Sequence, residues 1–253
     1  MQAGQADKAL AFRAMHRRGD PVVLFNIWDP GSARAVAKAG AKALATGSWS
    51  VANAFGFDDG EKVPFALVLE NLGRIVRAAD LPLTADLEAG YGETPADVGA
   101  SINAALATGV VGFNIEDGLP AGGLRAIDRQ SERLRAAKKA FAGVPAFLNA
   151  RIDVFLQSER SQHAGLMKEA LARIEAFAAA GADGIFLPGL ADAALIREAC
   201  AATALPVNVM ANAATPPMPE LTAVGVARVS FGPGPYRTAM TALETAARAA
   251  FGH

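Results

Sequence analysis

The sequence predicts an α/β fold closed into a single (β/α)8 TIM barrel domain spanning residues 1–253. Three observations carry that reading. The chain has 253 residues, near the ~250 typical of one such barrel. Eight short apolar or β-branched runs recur, each followed by a longer stretch with apolar spacing near that of a helix. Polar and acidic residues gather at the C-terminal ends of those runs, where barrels place their chemistry.

Taken in order, the first strand is expected over Val22–Trp28. Asp29-Pro30 follows, a capping residue and a first-turn proline opening a helix over Ser32–Ala39. Ala39-Gly40 closes that helix, since glycine accepts the left-handed conformation of a C-cap, and a second strand runs Ala43–Ser48. A helix over Pro64–Ala79 leads through Leu81-Pro82 to a strand over Leu83–Leu87; proline at a strand entry sacrifices no ladder bond. Thr94-Pro95 opens a helix over Pro95–Thr108, and Thr108-Gly109 delivers the chain to Gly112–Ile115. A helix over Asp128–Phe141 and a Val144-Pro145 entry precede the strand Ala146–Ala150. The helix His163–Ala180, closed by Gly181, leads to Gly184–Leu187; the helix Ala191–Ala202 and Leu205-Pro206 lead to Val207–Met210. The last unit is a helix over Pro216–Val224, Gly225, the strand Arg228–Phe231 and a final helix Tyr236–Phe251. Near-continuous apolar strands alternating with helices imply a parallel sheet buried on both faces. Eight units in this length favour closure over the runner-up, an open doubly wound sheet.

Composition narrows the function. Hydrophobic residues make up 52% and charged residues 19% of the chain, enough for a large core. The net charge of −1 and the lack of a basic stripe leave nucleic-acid binding without an electrostatic footprint. No apolar run reaches the ~18 residues of a membrane span, and Met1–Asp20 is polar and mixed in charge, unlike a signal peptide. The lone Cys200, in the helical stretch Asp192–Thr203, precludes an intrachain disulfide and fits a reducing, cytoplasmic location.

The polar strand ends are Asn26, Trp28 and Asp29; Gly47-Ser48-Trp49-Ser50, then Asp58 and Asp59; Asp86-Leu87-Glu88-Ala89-Gly90-Tyr91-Gly92; Asn114-Ile115-Glu116-Asp117; Asn149-Ala150-Arg151-Ile152-Asp153; and Asn208 with Asn212. Asp86 and Glu88 are expected on one strand face, because side chains alternate with period two, and Glu116 comes from the adjacent strand. Carboxylates converging on one barrel mouth repel unless a cation neutralises them, and oxygen-only donors favour a hard ion, Mg²⁺ or Mn²⁺. Their alternative role is helix capping or pairing with an arginine. Arg151, within an apolar strand, needs an anionic partner, either a substrate carboxylate or Asp153 or Glu116. Gly47-Ser48 is placed to offer backbone amides to an oxyanion. His16, His163 and the seven lysines avoid strand ends, which argues against a histidine base and Schiff-base chemistry.

Asn26-Ile-Trp-Asp29 with Ser32-Ala-Arg34, Asp86-Leu-Glu-Ala-Gly-Tyr-Gly92, Gly112-Phe-Asn-Ile-Glu-Asp117 and Asn149-Ala-Arg-Ile-Asp153, in this order over about residues 20–235, resemble the isocitrate lyase/phosphoenolpyruvate mutase superfamily, in its shorter, mutase-like members. The resemblance implies a Mg²⁺ site in which Asp86 and Glu116 act, with Asp59 and Glu88 holding waters of the ion. It implies that Gly47, Ser48 and Trp49 line a pocket for an α-oxocarboxylate contacted by Arg151 and Asn212. It further implies a homo-oligomer, a dimer or tetramer, often with the C-terminal helix exchanged between barrels. The expected reaction is that of a lyase: C–C cleavage of a small α-oxo or α-hydroxy carboxylate through a metal-stabilised enolate, with Asp86, Glu116 and Arg151 as catalytic groups. The loop Glu116–Arg125 departs from the family pattern, lacking the lyase cysteine motif and the mutase lysine and asparagine, and Pro188 stands where mutases place a histidine. Within it Gly118–Arg125 is expected to close over the site, with Arg125 as its only charged group able to reach substrate. Hydrolysis or decarboxylation of oxaloacetate-like acids, P–C chemistry, and a barrel that binds a metabolite without turnover stay open.

Overall fold

The computed structural model describes residues 4–119, 121–141 and 143–252. Pro120, in the loop singled out above, and His253 lie outside them. The strands are β1 (Val22–Leu24), β2 (Leu44–Ala45), β3 (Leu83–Asp86), β4 (Gly112–Glu116), β5 (Phe147–Arg151), β6 (Gly184–Leu187), β7 (Val207–Met210) and β8 (Arg228–Ser230). All neighbours pair in parallel in the ring order β1-β8-β7-β6-β5-β4-β3-β2. The remaining seam, between β1 and β2, is closed by a parallel bridge of Ile27 to Thr46, in which the Ile27 amide donates to Ala45 O at 2.8 Å. The eight parallel strands and their helices form the expected (β/α)8 barrel.

The helices are α1 (Gln5–Ala14), α2 (Pro30–Lys38), α3 (Ser48–Phe55), α4 (Phe65–Ala78), α5 (Pro95–Ala107), α6 (Ile127–Lys139), α7 (His163–Ala179), α8 (Ala193–Ala201), α9 (Met218–Ala223) and α10 (Gly234–Phe251). The two caps read from sequence form as expected. Asp29 accepts from the Ser32 amide and Thr94 from the Asp97 amide, each within a reciprocal capping box. Cys200 is buried in α8, as its helical setting suggested.

Two helices were not anticipated. α3 starts at Ser48, so the Gly47–Ser50 segment is a helix start rather than a simple strand-end turn. α1 closes the bottom of the barrel. Its Phe12 is fully buried and meets Phe147 edge to face at 5.9 Å, within an apolar layer that includes Val22, Leu24, Ala43 and Val111. Gln5 Nε2 donates to Leu106 O and Val110 O at 2.8 and 2.9 Å, and Arg13 reaches Ala146 O and Asp183. α1 was hidden because its partners are the barrel floor, which periodicity within α1 does not display.

Above this plug the interior is polar. Arg228 is fully buried and donates through Nη2 to Asn114 Oδ1 at 3.2 Å, which also accepts from Asn149 Nδ2 at 3.0 Å. Burial pulls the Arg228 guanidinium down to about 9, opposed by the charge of Asp86 above it.

α10 is the element least joined to the barrel. Along its length Pro235 is its one buried residue, while Leu243 and Phe251 are 63% and 76% exposed. The outer face at β1 is also bare: Val23 and, just past the strand, Phe25 are 44% and 43% exposed beside a groove of about 560 Å³ shared with Ala35 and Val36 of α2 and its C-cap Ala39.

His16, just after α1, is stacked on Phe147 at 3.9 Å and donates from Nδ1 to Phe12 O at 2.8 Å. Burial, helped by the Arg228 charge, holds its pKa down at about 3 against an ordinary 6.5. The unfolded chain therefore takes up a proton in that window that the folded chain refuses, and stability falls as pH drops from 6.5 towards 3, by up to ~1.4 kcal/mol per pH unit. His16→Phe is expected to flatten this dependence, measured as urea midpoints across the window. An unchanged slope in the variant contradicts the assignment.

Candidate functional site

The site is built where β2, β3, β4 and β5 end. The chain leaves β3 at Asp86 and turns sharply. Glu88 and Tyr91 both adopt left-handed backbone, with φ of 51° and 49°, and Gly90 lies at 105°. A Cβ on Gly90 would approach Val98 Cγ1 to 3.1 Å, so the glycine permits both the turn and the contact with α5. Sequence reasoning placed Asp86 and Glu88 on one face by strand alternation. They do border a common recess, but the strand ends at Asp86 and the left-handed turn is what brings Glu88 there.

Backbone amides and one buried arginine hold this turn. Arg133 of α6, 2% exposed, donates to Ala89 O at 2.6 Å and Glu93 O at 2.7 Å. Glu88 Oε2 accepts from the Gly60 and Glu61 amides at 2.7 and 2.6 Å, and Oε1 from Tyr91 Oη at 2.9 Å. The α3–α4 loop, which carries Asp59, is thereby pinned to the β3 turn.

Arg151 sits at the centre. Its Nη1 lies 2.6 Å from Glu116 and 4.0 Å from Asp86, and its Nε and Nη2 donate to the two Asp153 oxygens at 2.7 and 3.0 Å. Burial works against its charge, but Glu116, Asp153 and Asp86 together outweigh that and keep it firmly protonated. Asp153 is fixed in turn. Its amide donates to Asp117 Oδ1 at 2.9 Å, and the fully buried Asp117 accepts from Arg173 Nη1 at 3.0 Å. Asp117, one of the polar strand-end residues, and Arg173 are positioning residues to which sequence reading gave no role. An arginine in the middle of α7 was the only signal for Arg173.

The acids are under strain of charge. Burial and then the Asp59 charge push Glu88 up to about 7. Burial and then Asp86 raise Asp59; burial raises Glu116 well above its ordinary range despite Arg151. Asp86 Oδ2 accepts from the Ser48 amide at 3.2 Å, while Oδ1 is buried with no hydrogen-bond partner. Among the described residues no three acidic, histidine or cysteine side chains are arranged to grip one ion directly. The set nevertheless fits a hard cation that keeps most of its waters: one orphaned oxygen, all-oxygen donors and an excess of buried negative charge.

Two cavities meet at Asp59. One, of about 220 Å³, is acidic and bordered by Glu61, Glu88, Glu116 and Asp153, with Gly118 and Leu119 of the β4 loop. The other, of about 210 Å³, reaches Gly47, Ser48, Trp49, Asp86 and Arg151 on one side and an apolar wall on the other. Gly47, Ser48, Trp49, Asp59, Asp86 and Arg151 are thus brought together, with Glu88 and Glu116 bordering the adjoining space. Asn212 and Arg125 are not. Asn212 is exposed, and its Oδ1 caps the turn at Ala214. Arg125 borders neither cavity; its charge acts on Glu61 and Arg133, behind the β3 turn. The Gly47 amide donates to Ile27 O, closing the β1–β2 seam, and the Ser48 amide to Asp86, so neither is open to an oxyanion in this arrangement. The loop expected to close is a small hairpin, with Gly118 bridged to Leu124 and the Gly123 amide held by Gln157 Oε1 at 2.9 Å.

Comparison with known proteins places the chain in a family. The phosphoenolpyruvate phosphomutase family model matches residues 12–251. The chain belongs to that family and is an enzyme of the phosphoenolpyruvate mutase/isocitrate lyase superfamily. It is similar to a provisionally assigned phosphonomutase from Burkholderia cenocepacia J2315, at 53% identity and a TM-score of 0.94, covering 99% of this chain and 100% of that one. It is also similar to a 2,3-dimethylmalate lyase structure, at 25% identity and a TM-score of 0.83, covering 98% and 87% of the two chains. The oxaloacetate decarboxylase of Ectopseudomonas mendocina (strain ymp) is 31% identical over 201 residues, covering 78% of this chain and 68% of the relative.

Glu88 offers a direct test of charge strain. In Glu88→Gln the amide oxygen keeps the Gly60 and Glu61 donors and the amide nitrogen can donate to Tyr91 Oη. With the wild-type carboxylate raised to about 7, its ionised form costs folding energy at higher pH. The metal-free variant is therefore expected to melt higher than wild type at about pH 8, by ~2–4 °C per kcal/mol relieved. A lower melting temperature there rejects the uncompensated-acid description.

Proposed function

We propose that the protein is a Mg²⁺-dependent carbon–carbon lyase acting on a small α-oxo or α-hydroxy carboxylate in the cavity between Asp86 and Arg151. The observation that carries this reading is the buried, unpartnered Asp86 Oδ1 within a cluster of acids whose charge Arg151 offsets in part. Asp86, Asp59, Glu88 and Glu116 would hold the cation, Mn²⁺ being the alternative ion. When bound, it supplies Lewis-acid stabilisation of the negative charge that develops on the 2-oxo group as the bond breaks.

The chain's own residues do the rest. Arg151, locked in orientation by Asp153, presents a guanidinium edge to the substrate carboxylate. Gly47, Ser48 and Trp49, at the opening turn of α3, form the wall over the oxo group. Ser48 holds Asp59 through its hydroxyl, tying that wall to the acids. Asn212 and Arg125 would join only if their loops move. The Gly118–Leu124 hairpin, anchored on Gln157, shields the acidic side from solvent. A second reading, decarboxylation of an oxaloacetate-like acid, is supported by the similarity to the Ectopseudomonas enzyme and uses the same developing charge.

We also propose a homo-oligomer, a dimer or tetramer, in which α10 of one copy covers the β1–α2 groove of another. The bare Val23 and Phe25, and the apolar face of α10 with Leu243 and Phe251 uncovered, support it. Among the described residues no helix is long and apolar enough to cross a membrane. A cytoplasmic location rests on the single buried Cys200.

Asp86→Asn keeps the size and the Ser48 contact but removes the ligand charge. It is expected to reduce Mg²⁺-dependent oxalate binding at least 100-fold in calorimetry, and to leave the circular dichroism spectrum and melting cooperativity intact. Retained binding in a folded variant eliminates this metal site. Leu243→Glu combined with Phe251→Glu is expected to lower the mass seen by light scattering to that of a monomer; an unaltered oligomer removes α10 from the interface.

A further inference from the structure

Among the described residues three arginines are buried, and two of them have evident structural work. Arg133 holds Ala89 O and Glu93 O, and Arg173 pairs with Asp117 and Glu169. Arg228, 1% exposed, is held far more loosely. Its hydrogen bond from Nη2 goes to the neutral Asn114 amide at 3.2 Å, and Nε and Nη1 have no partner among the described residues. Asp86, the acid whose charge acts on it, makes its own contacts to Arg151 and the Ser48 amide. A guanidinium so deeply buried and so poorly compensated is costly, and its position calls for a negative group nearby.

Arg228 lies one layer beneath the 210 Å³ cavity. Two residues further along β8, on the same inward face, Ser230 lines that cavity, and Asn114 lines it from β4. The Asn114 amide has a fixed direction. Arg228 Nη2 and Asn149 Nδ2 only donate, so the atom between them is Oδ1. Its Nδ2 is left as the end without a hydrogen bond among the described residues. Ser230 Oγ lies 3.4 Å from Asn208 Oδ1 and 3.5 Å from Val209 O, long contacts that leave its proton free to turn to a better acceptor. Ser50 Oγ, in the first turn of α3, also lines the cavity and has no partner. Leu156, Phe186, Pro188 and Met210 make the rest of the wall apolar, so the charge of Arg228 is weakly screened there.

We propose that the floor of this cavity is a second anion subsite, in which Asn114 and Ser230 donate to a carboxylate at the far end of the ligand and Arg228, beneath them, supplies the compensating charge. The assignment rests on the reading that an oxo- or hydroxy-acid is held at Asp86 and Arg151, and it specifies what receives the other end. The ligand is then anchored by an anionic group at each end, with the carbon–carbon bond that breaks lying between two fixed points. Arg228 is a positioning residue that sets specificity without touching the ligand, since Asn114 and Ser230 stand between them.

Calorimetry on the Mg²⁺-loaded, full-length protein near neutral pH tests the subsite with two pairs of acids. Each pair differs only in a methyl or a carboxylate group at the far end: 2-hydroxybutanoate against malate, and 2-oxopentanoate against 2-oxoglutarate. Oxalate, which has no far end, is the control. In at least one pair the dicarboxylate is expected to bind at least tenfold more tightly, the scale of one charge-assisted hydrogen bond. Arg228→Gln, which keeps a donor for Asn114 and loses the charge, is expected to bring that ratio to about threefold or less. Arg228→Lys is expected to preserve it, and oxalate affinity to change by less than about threefold in both variants. Absence of a preference in the wild-type protein, or a preference that survives Arg228→Gln, overturns the subsite. So does a loss that falls equally on oxalate, because Arg228 would then act on the oxo-acid end or on the fold. Should Arg228→Gln not fold, Ser230→Ala decides: a reduced preference with unchanged oxalate binding supports the subsite, and an undiminished one rejects it. If oxalate binds wild type and neither pair discriminates, only the floor subsite is wrong. If oxalate does not bind with Mg²⁺ present, the oxo-acid site itself fails and the subsite falls with it.

Discussion

The guanidinium of Arg151 is the point on which the barrel mouth depends. Glu116, Asp153 and Asp86 approach it from three strand ends, and Asp59 and Glu88 lie just beyond. So many carboxylates withdrawn from water repel one another and lose hydration, a cost that the Gly60 and Glu61 amides offset only in part at Glu88. One buried arginine offsets part of it and fixes directions as well, because its planar fork binds Asp153 through two nitrogens. The orientation passes backwards through Asp153 to Asp117 and Arg173, so the geometry at the mouth is set by a helix on the barrel's outside. What remains uncompensated is negative and concentrated around Asp86. Asp59, Glu88 and Glu116 carry raised proton affinities as a consequence.

Much of this was legible before any coordinates. Strand positions followed from apolar runs and from the Gly and Pro that bracket them, because a parallel strand buried on both faces cannot hide its composition. Caps at Asp29 and Thr94 were legible because they are local. Acids at strand ends were legible because barrel topology assigns that face to chemistry. Other features depend on distant partners. Arg133 and Arg173 read as ordinary helix charges until the loops they hold are seen. Asn212 and Arg125 were placed near substrate by spacing and resemblance, but a two-residue Asx turn and a hairpin pointed them elsewhere. Glu88 arrived at the predicted place by another route, through positive φ rather than pleat alternation.

The interior of the barrel joins these levels. Most such barrels are filled with branched apolar side chains. Here Arg228, Asn114 and Asn149 form a hydrogen-bonded layer between the Phe12 plug below and the acids above. A second buried positive charge thus underlies the negative mouth, and the charge of Asp86 acts on it through the core.

The plug itself bears on how the chain is made. α1 is synthesised before the strands it docks on, and its hydrogen-bond partners lie far along the sequence: Leu106 and Val110 for Gln5, at separations of 101 and 105 residues, and Ala146 and Asp183 for Arg13, at 133 and 170. The opening helix therefore has no floor to dock on until more than half of the barrel exists. Its attachment is a late, long-range closure whose entropic cost is met only as the ring completes. A nascent chain stalled before Leu106 would carry this helix without any of these partners, and Phe12 without its contact to Phe147.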